Sequence, residues 1–168
     1  MSAQLQEVLK RQKEQLNSSL LDKDNKEEEI IQLVGFMVGN EEYAVPILSI
    51  QEIIKPIDYT RVPKTPSYVL GVFNLRGNVL PLIDLRLKFN IPNIQQSEDM
   101  RYIVIKDENS VAGFVIDKIT EAIRINVKQI ENPPETLKNN NNLISGIGKR
   151  YDSIVTILKT DELLKRDF

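Results

Sequence analysis

The stretch GVFNLRGNVLPLIDL, residues 71–85, decides how the chain is read. Apolar residues recur at nearly every second or third position, so most of it must be buried. Arg76 stands in its middle beside Gly77. A guanidinium buried alone is too costly, so Arg76 must sit where its side chain can run past the core to the surface and meet a carboxylate. Gly77-Asn78 suits a tight turn. The stretch therefore reads as two apolar strands joined at Arg76-Gly77-Asn78. VLPLID is the second of them. Asp84 is placed to cap a short helix, LRLKF, because its carboxylate can accept from first-turn amides.

The same pattern repeats on both sides of this stretch. IIQLVGFMV ends at Gly39-Asn40 and EYAVP follows at once, which reads as a hairpin. ILSIQEII (47–54) reads as a helical turn running into a strand, with a short helix as the alternative. KPIDYTRVPKTP carries three prolines in twelve residues and is a loop. Beyond the stretch, MRYIVIK and SVAGFVID flank Asp107-Glu108-Asn109 as a hairpin. ITEAIRI and VKQI continue as extended pieces, and PPETLKNNNN is a long polar loop. LISGIGK and SIVTILK flank Arg150-Tyr151-Asp152 as a third hairpin, and DELLKR is a short terminal helix. About ten short strands at regular spacing indicate a mainly β barrel or sandwich.

Residues 1–29 form a separate unit. Leu5, Leu9, Leu16 and Leu20 fall near one helical face, and DKDNKEEE follows. The segment reads as a marginal, partly frayed helix with a solvated linker, or as a partner-binding or coiled-coil helix.

Composition narrows the function. The chain has 168 residues, 41% hydrophobic and 27% charged, a globular balance. It contains no His and no Cys, which removes the Ser-His-Asp and Cys-His arrangements and zinc sites built on imidazole and thiolate. Neither phosphate-cradling glycine motif is present. Residues 1–29 carry 5 basic and 7 acidic groups and the rest of the chain carries 17 of each. A neutral body is a poor match for nucleic acid and a better one for specific protein contacts. No apolar run approaches the ~20 residues of a membrane helix, and the polar N-terminus has no signal-peptide centre. The expected location is the cytoplasm.

NLRGNVLPLIDLR resembles the central motif of the CheW family of chemotaxis coupling proteins. VGNEEYAVPILSIQEII, VPKTPSYVLGVFNLRG, VAGFVID and ISGIG resemble its other segments in the family's order, from about Ile31 to Leu164. The resemblance implies two intertwined, roughly five-stranded SH3-like barrels with short helices. On that basis residues 30–166 form the CheW-like domain, with a first barrel at roughly 30–84 and a second at roughly 100–158, exchange of strands between them being left open. Residues 1–29 are an N-terminal helical extension to which nothing transfers.

The resemblance also implies a non-catalytic adaptor without cofactor. It would couple the cytoplasmic tips of chemoreceptors (methyl-accepting chemotaxis proteins) to the regulatory domain of the histidine kinase CheA, in arrays at the inner membrane. The output would be flagellar chemotaxis or another chemosensory pathway. Glu52 is the candidate partner of Arg76, a pair that either pins the turn or also borders a receptor groove. Gly71 either permits a tight turn or lets a receptor helix approach. Ile50 is either core or an exposed apolar anchor. Gly113 resembles a position near the same groove, or marks a bulge. These five are the expected receptor-binding residues; no kinase-binding residue is assigned. Asp117 and Glu121 are expected to be solvated. A carboxylate-based hydrolase would instead need two acids converging in a deep cleft, and an oligonucleotide-binding barrel a basic groove lined with aromatics. Nothing in the spacing shows such a pair of acids, and ten aromatics with a neutral body make a weak case for the oligonucleotide barrel.

Overall fold

The computed structural model describes residues 2–21, 29–92, 97–133, 143–150 and 153–165. Helix α1 (Ser2–Leu21) comes first. Strands β1 (Ile30–Val38) and β2 (Glu41–Pro46) form the expected hairpin at Gly39-Asn40. A single 3₁₀ turn, Ile47–Ser49, leads straight into β3 (Ile50–Ile54), as the ILSIQEII segment indicated. Next come β4 (Val69–Leu75), β5 (Asn78–Asp84) and the one-turn helix α2 (Leu85–Lys88). Asp84 caps α2, its carboxylate accepting from the Arg86 N–H at 2.9 Å. The second half holds β6 (Arg101–Lys106), β7 (Val111–Ile116), β8 (Lys118–Asn126), β9 (Ile130–Glu131), β10 (Ile144–Arg150), β11 (Ser153–Leu158) and helix α3 (Thr160–Leu163). Residues 22–28 of the expected linker, most of the PPETLKNNNN loop and the Tyr151-Asp152 turn lie outside the described residues.

The strands form two mixed sheets, ordered β8-β1-β2-β11-β10-β9 and β3-β6-β7-β5-β4. These are the two SH3-like barrels, and they are interleaved. The sheets divide the chain differently from the rough boundaries 30–84 and 100–158. The first hairpin, β1–β2, leaves its own half to join β8–β11. The β6–β7 hairpin joins β3–β5 in return.

The exchange follows an internal pseudo-twofold. In each sheet two antiparallel hairpins meet through one parallel pair, β2 with β11 and β7 with β5. Both final hairpins carry a register shift at the same place, before Gly71 opposite Leu82 and before Gly146 opposite Ile157. The residue opening each last helix donates back across its hairpin, Asp84 to the Tyr68 carbonyl and Lys159 to the Leu143 carbonyl.

Interleaving explains why the strands read as near-continuous apolar runs. Phe73, Leu80, Leu82, Tyr102, Val104 and Val115 fill the interior of one barrel. Leu33, Ala44, Ile123, Ile125, Val155 and Ile157 fill the other. Opposite faces of the same strands send Val34, Phe36, Ile103, Ile105, Phe114 and Ile116 into a shared core. A strand buried on both faces loses polar alternation. Burying a side chain such as Phe36 or Phe114 stabilises by about 1.5–3 kcal/mol, so the shared core holds the barrels as one body.

Helix α1 forms and its first half docks on the body: Leu9 is buried in the shared core and Leu5 packs against it. The side chains of Leu16 and Leu20 are outside the described residues.

Candidate functional site

The β4–β5 turn is one residue earlier than Gly77-Asn78. Leu75 pairs with Asn78, so Arg76 and Gly77 are the two central residues. Their φ values are 52° and 87°, the double left-handed geometry of a hairpin turn whose twist matches the strands. Gly77 adopts it freely, whereas an arginine rarely does. The Asn74 side chain helps, accepting from the Gly77 N–H at 3.0 Å.

What holds Arg76 there is Glu52. Arg76 Nε and Nη2 donate to Glu52 Oε1 and Oε2, each at 3.1 Å, a two-pronged contact. The acidic partner comes from β3, at the opposite edge of the five-stranded sheet from β4. The pair therefore spans the rolled sheet and closes it. Only 10% of the Glu52 side chain is exposed, against 74% of Arg76. The carboxylate is set into the wall and the cation is presented outward. Glu52's hydrogen bonds, and then its charge, push the guanidinium further above its ordinary value.

The other three expected residues are not on the surface. Ile50 is 1% exposed and belongs to the shared core, so it is not an exposed anchor. Gly71 is buried, and its missing side chain makes room for its own chain. A Cβ there would stand 2.0 Å from the Thr60 carbonyl oxygen. The Thr60 and Val72 backbones exchange two 2.8 Å hydrogen bonds at this crossing. Gly113 pairs regularly with Val104 and Leu82, without a bulge. A Cβ on it would meet the Phe73 ring at 2.6 Å. All three are packing positions within the fold.

Asp117 is not merely solvated. Its Oδ2 accepts from the Gly39 N–H at 2.7 Å, and Oδ1 lies 3.7 Å from Arg86 Nε. Arg86, itself buried, also pairs with Asp84. Two carboxylates thus converge on one cation and tie the β1–β2 turn to α2, an arrangement for holding elements rather than for acid–base work. Glu121 is exposed. Among the described residues no group of three or more acidic side chains could hold a metal, and no helix is long and apolar enough to cross a membrane.

Sequence reading did not find the exposed apolar residues. Val79, 65% exposed, stands opposite Asn74 in the β4–β5 hairpin. Ile154, 58% exposed, holds the equivalent place opposite Lys149 in the β10–β11 hairpin. Ile57, Tyr59 and Val62 add further exposed apolar surface on the proline-rich loop.

A family model described as the CheW-like domain matches residues 32–168. The chain belongs to the CheW family. Chemotaxis protein CheW of Helicobacter pylori is 56% identical over 168 residues, covering 100% of both chains. The similarity therefore includes the N-terminal extension. Chemotaxis protein CheW of Bacillus subtilis is 31% identical over 136 residues, 80% of this chain and 87% of that one. The crystal structure of the scaffolding protein TtCheW from Thermoanaerobacter tengcongensis superposes with a TM-score of 0.77 at 30% identity, covering 85% of this chain and 93% of that one. The chain is accordingly a chemotaxis coupling protein of the scaffold type.

Proposed function

We propose that this CheW-family chain acts without catalysis, as the adaptor that holds the cytoplasmic tip of a chemoreceptor and the regulatory domain of the histidine kinase CheA in one geometry. The work is done in the cytoplasm, with recruitment to receptor arrays at the inner membrane. Residues 30–166 are the working domain, and residues 1–29 an extension of it.

The observation that carries the receptor side is Arg76, presented outward from a left-handed turn and fixed there by Glu52. A cation already held in its binding geometry loses little freedom when a partner meets it, so more of each contact appears as affinity. Arg76 and Glu52 form the charged margin of the receptor site, with Ile50, Gly71 and Gly113 supporting its wall from within. A receptor tip is a helical hairpin, and a shallow groove with a charged margin is the fitting way to bind one.

For the kinase side, Val79 and Ile154 are the best-exposed apolar anchors on the two final hairpins. A few such side chains can carry most of an interface's affinity. Linking several neighbours at once turns modest contacts into firm assembly. The test is co-sedimentation of the purified chain with receptor-bearing membranes and CheA. Recovery of all three in the pellet supports the proposal. Failure of the chain to pellet with receptors, while CheA alone behaves normally, refutes it.

A further inference from the structure

Helix α1 lies along β3, the edge strand of its sheet. Gln6 Nε2 donates to the Ile53 carbonyl at 2.7 Å, and Lys13 Nζ donates to the Ile50 carbonyl. Leu9, between them, is 5% exposed and enters the shared core. The spacing is a geometric match. Seven helical residues rise about 10.5 Å, and three strand residues span about 10 Å. Two side-chain donors two turns apart therefore reach two edge carbonyls in register, with the helix antiparallel to the strand. The seat reads a helix as donor, then an apolar residue three positions on, then a second donor four positions further.

As a permanent joint the seat is incomplete. Gln12 Oε1 is buried without a hydrogen-bond partner, a defect that opposes docking. Burial lowers the Lys13 pKa, and the nearby Lys106 charge lowers it further. Among the described residues no carboxylate pairs with Lys13. Both features favour a different occupant, one with a neutral donor where α1 has Lys13.

We propose that the β3 seat is a helix-binding groove that α1 occupies in cis and that a receptor-tip helix takes in trans, so that release of α1 governs receptor docking. This rests on the receptor reading above, since β3 also carries Glu52, the inner half of the charged margin. The fitting receptor helix is amphipathic, with an apolar residue flanked three before and four after by long polar donors. An amide such as Gln at the second donor position would avoid the repulsion from Lys106.

The test uses the full chain and two variants, Leu9→Asp and the double change Gln6→Ala with Lys13→Ala, each checked for native β-sheet circular dichroism. Two probes are titrated by fluorescence anisotropy: a labelled synthetic peptide of residues 2–21, and a soluble receptor cytoplasmic fragment. If α1 masks the seat in about nine-tenths of molecules, its release tightens binding of either probe about tenfold. That gain for both probes, in either folded variant, is the expected result. A variant that binds the peptide but holds the receptor fragment no more tightly than the parent chain overturns the proposal while leaving the receptor reading intact. Equal, weak peptide binding by parent and variants overturns it too, because the seat would then not accept a helix in trans. If no form of the chain binds the receptor fragment, the receptor reading fails and takes this occupant with it. Should Leu9→Asp fail to fold, the double variant decides.

Discussion

Replacing Gly71 by alanine adds one methyl group where β4 crosses the Thr60 backbone. Its Cβ would lie 2.0 Å from the Thr60 oxygen, 2.7 Å from the Thr60 carbonyl carbon and 3.0 Å from Arg61 Cα. All three are backbone atoms, so no rotamer change relieves the clash. Thr60 cannot retreat without giving up its two hydrogen bonds to Val72. The local φ of 154° also disfavours a side chain. Overpacking of a filled site costs about 1–3 kcal/mol, and the two bonds about 1 kcal/mol each. The combined loss is about 3–5 kcal/mol, a large share of the about 5–15 kcal/mol that holds a typical domain. With a urea slope of about 2 kcal/mol/M, the unfolding midpoint should fall by about 1.5–2.5 M. Gly77→Ala is the control: its Cβ meets nothing within 4 Å, and only the left-handed backbone costs, about 1–2 kcal/mol. A Gly71→Ala midpoint within about 0.3 M of the parent chain would mean that the crossing accepts a side chain without strain. Loss of receptor binding in that stable variant would show that Gly71 serves a partner's approach instead.

Three further outcomes follow from other parts of the fold. Val79→Asp should leave the urea midpoint unchanged and abolish or greatly weaken binding to the CheA regulatory domain, measured by calorimetric titration. Asp117→Ala leaves the Gly39 N–H without its acceptor and should cost about 1–3 kcal/mol in chemical unfolding. Burial, and then the hydrogen bond to Glu41 with its charge, raise the Tyr43 pKa well above the ordinary 10.0. The folded state therefore keeps this proton at a pH where the unfolded state has lost it. Its contribution is complete below pH 10 and declines as pH rises beyond that. Tyr43→Phe should flatten the alkaline fall in melting temperature.

Local chemistry was well legible in the sequence, and long-range placement less so. Asp84 could be read as a cap because the carboxylate and the amide it serves lie two residues apart. Glu52 could be named as the partner of Arg76 because a central cation in an apolar segment demands a carboxylate. The hairpins and the mainly β architecture followed from turn residues between apolar runs. The turn frame was missed by one residue, because nothing local announces that an arginine will take a left-handed conformation. That choice depends on Glu52, which reaches it only when the sheet rolls up. Ile50 was ambiguous because a strand buried on both faces gives no alternation to read. Asp117 looked solvated because its partner Gly39 lies 78 residues away. The docking of α1 was hidden for the same reason, its acceptors being backbone carbonyls that carry no sequence signal.

The most direct test of the adaptor account is the affinity of Arg76→Glu for a receptor cytoplasmic fragment, measured alongside its melting curve. A folded variant that has lost most of its receptor affinity is the predicted result. A folded variant that binds the fragment as tightly as the parent chain would contradict the account, because the cation held out by Glu52 would then have no partner to meet.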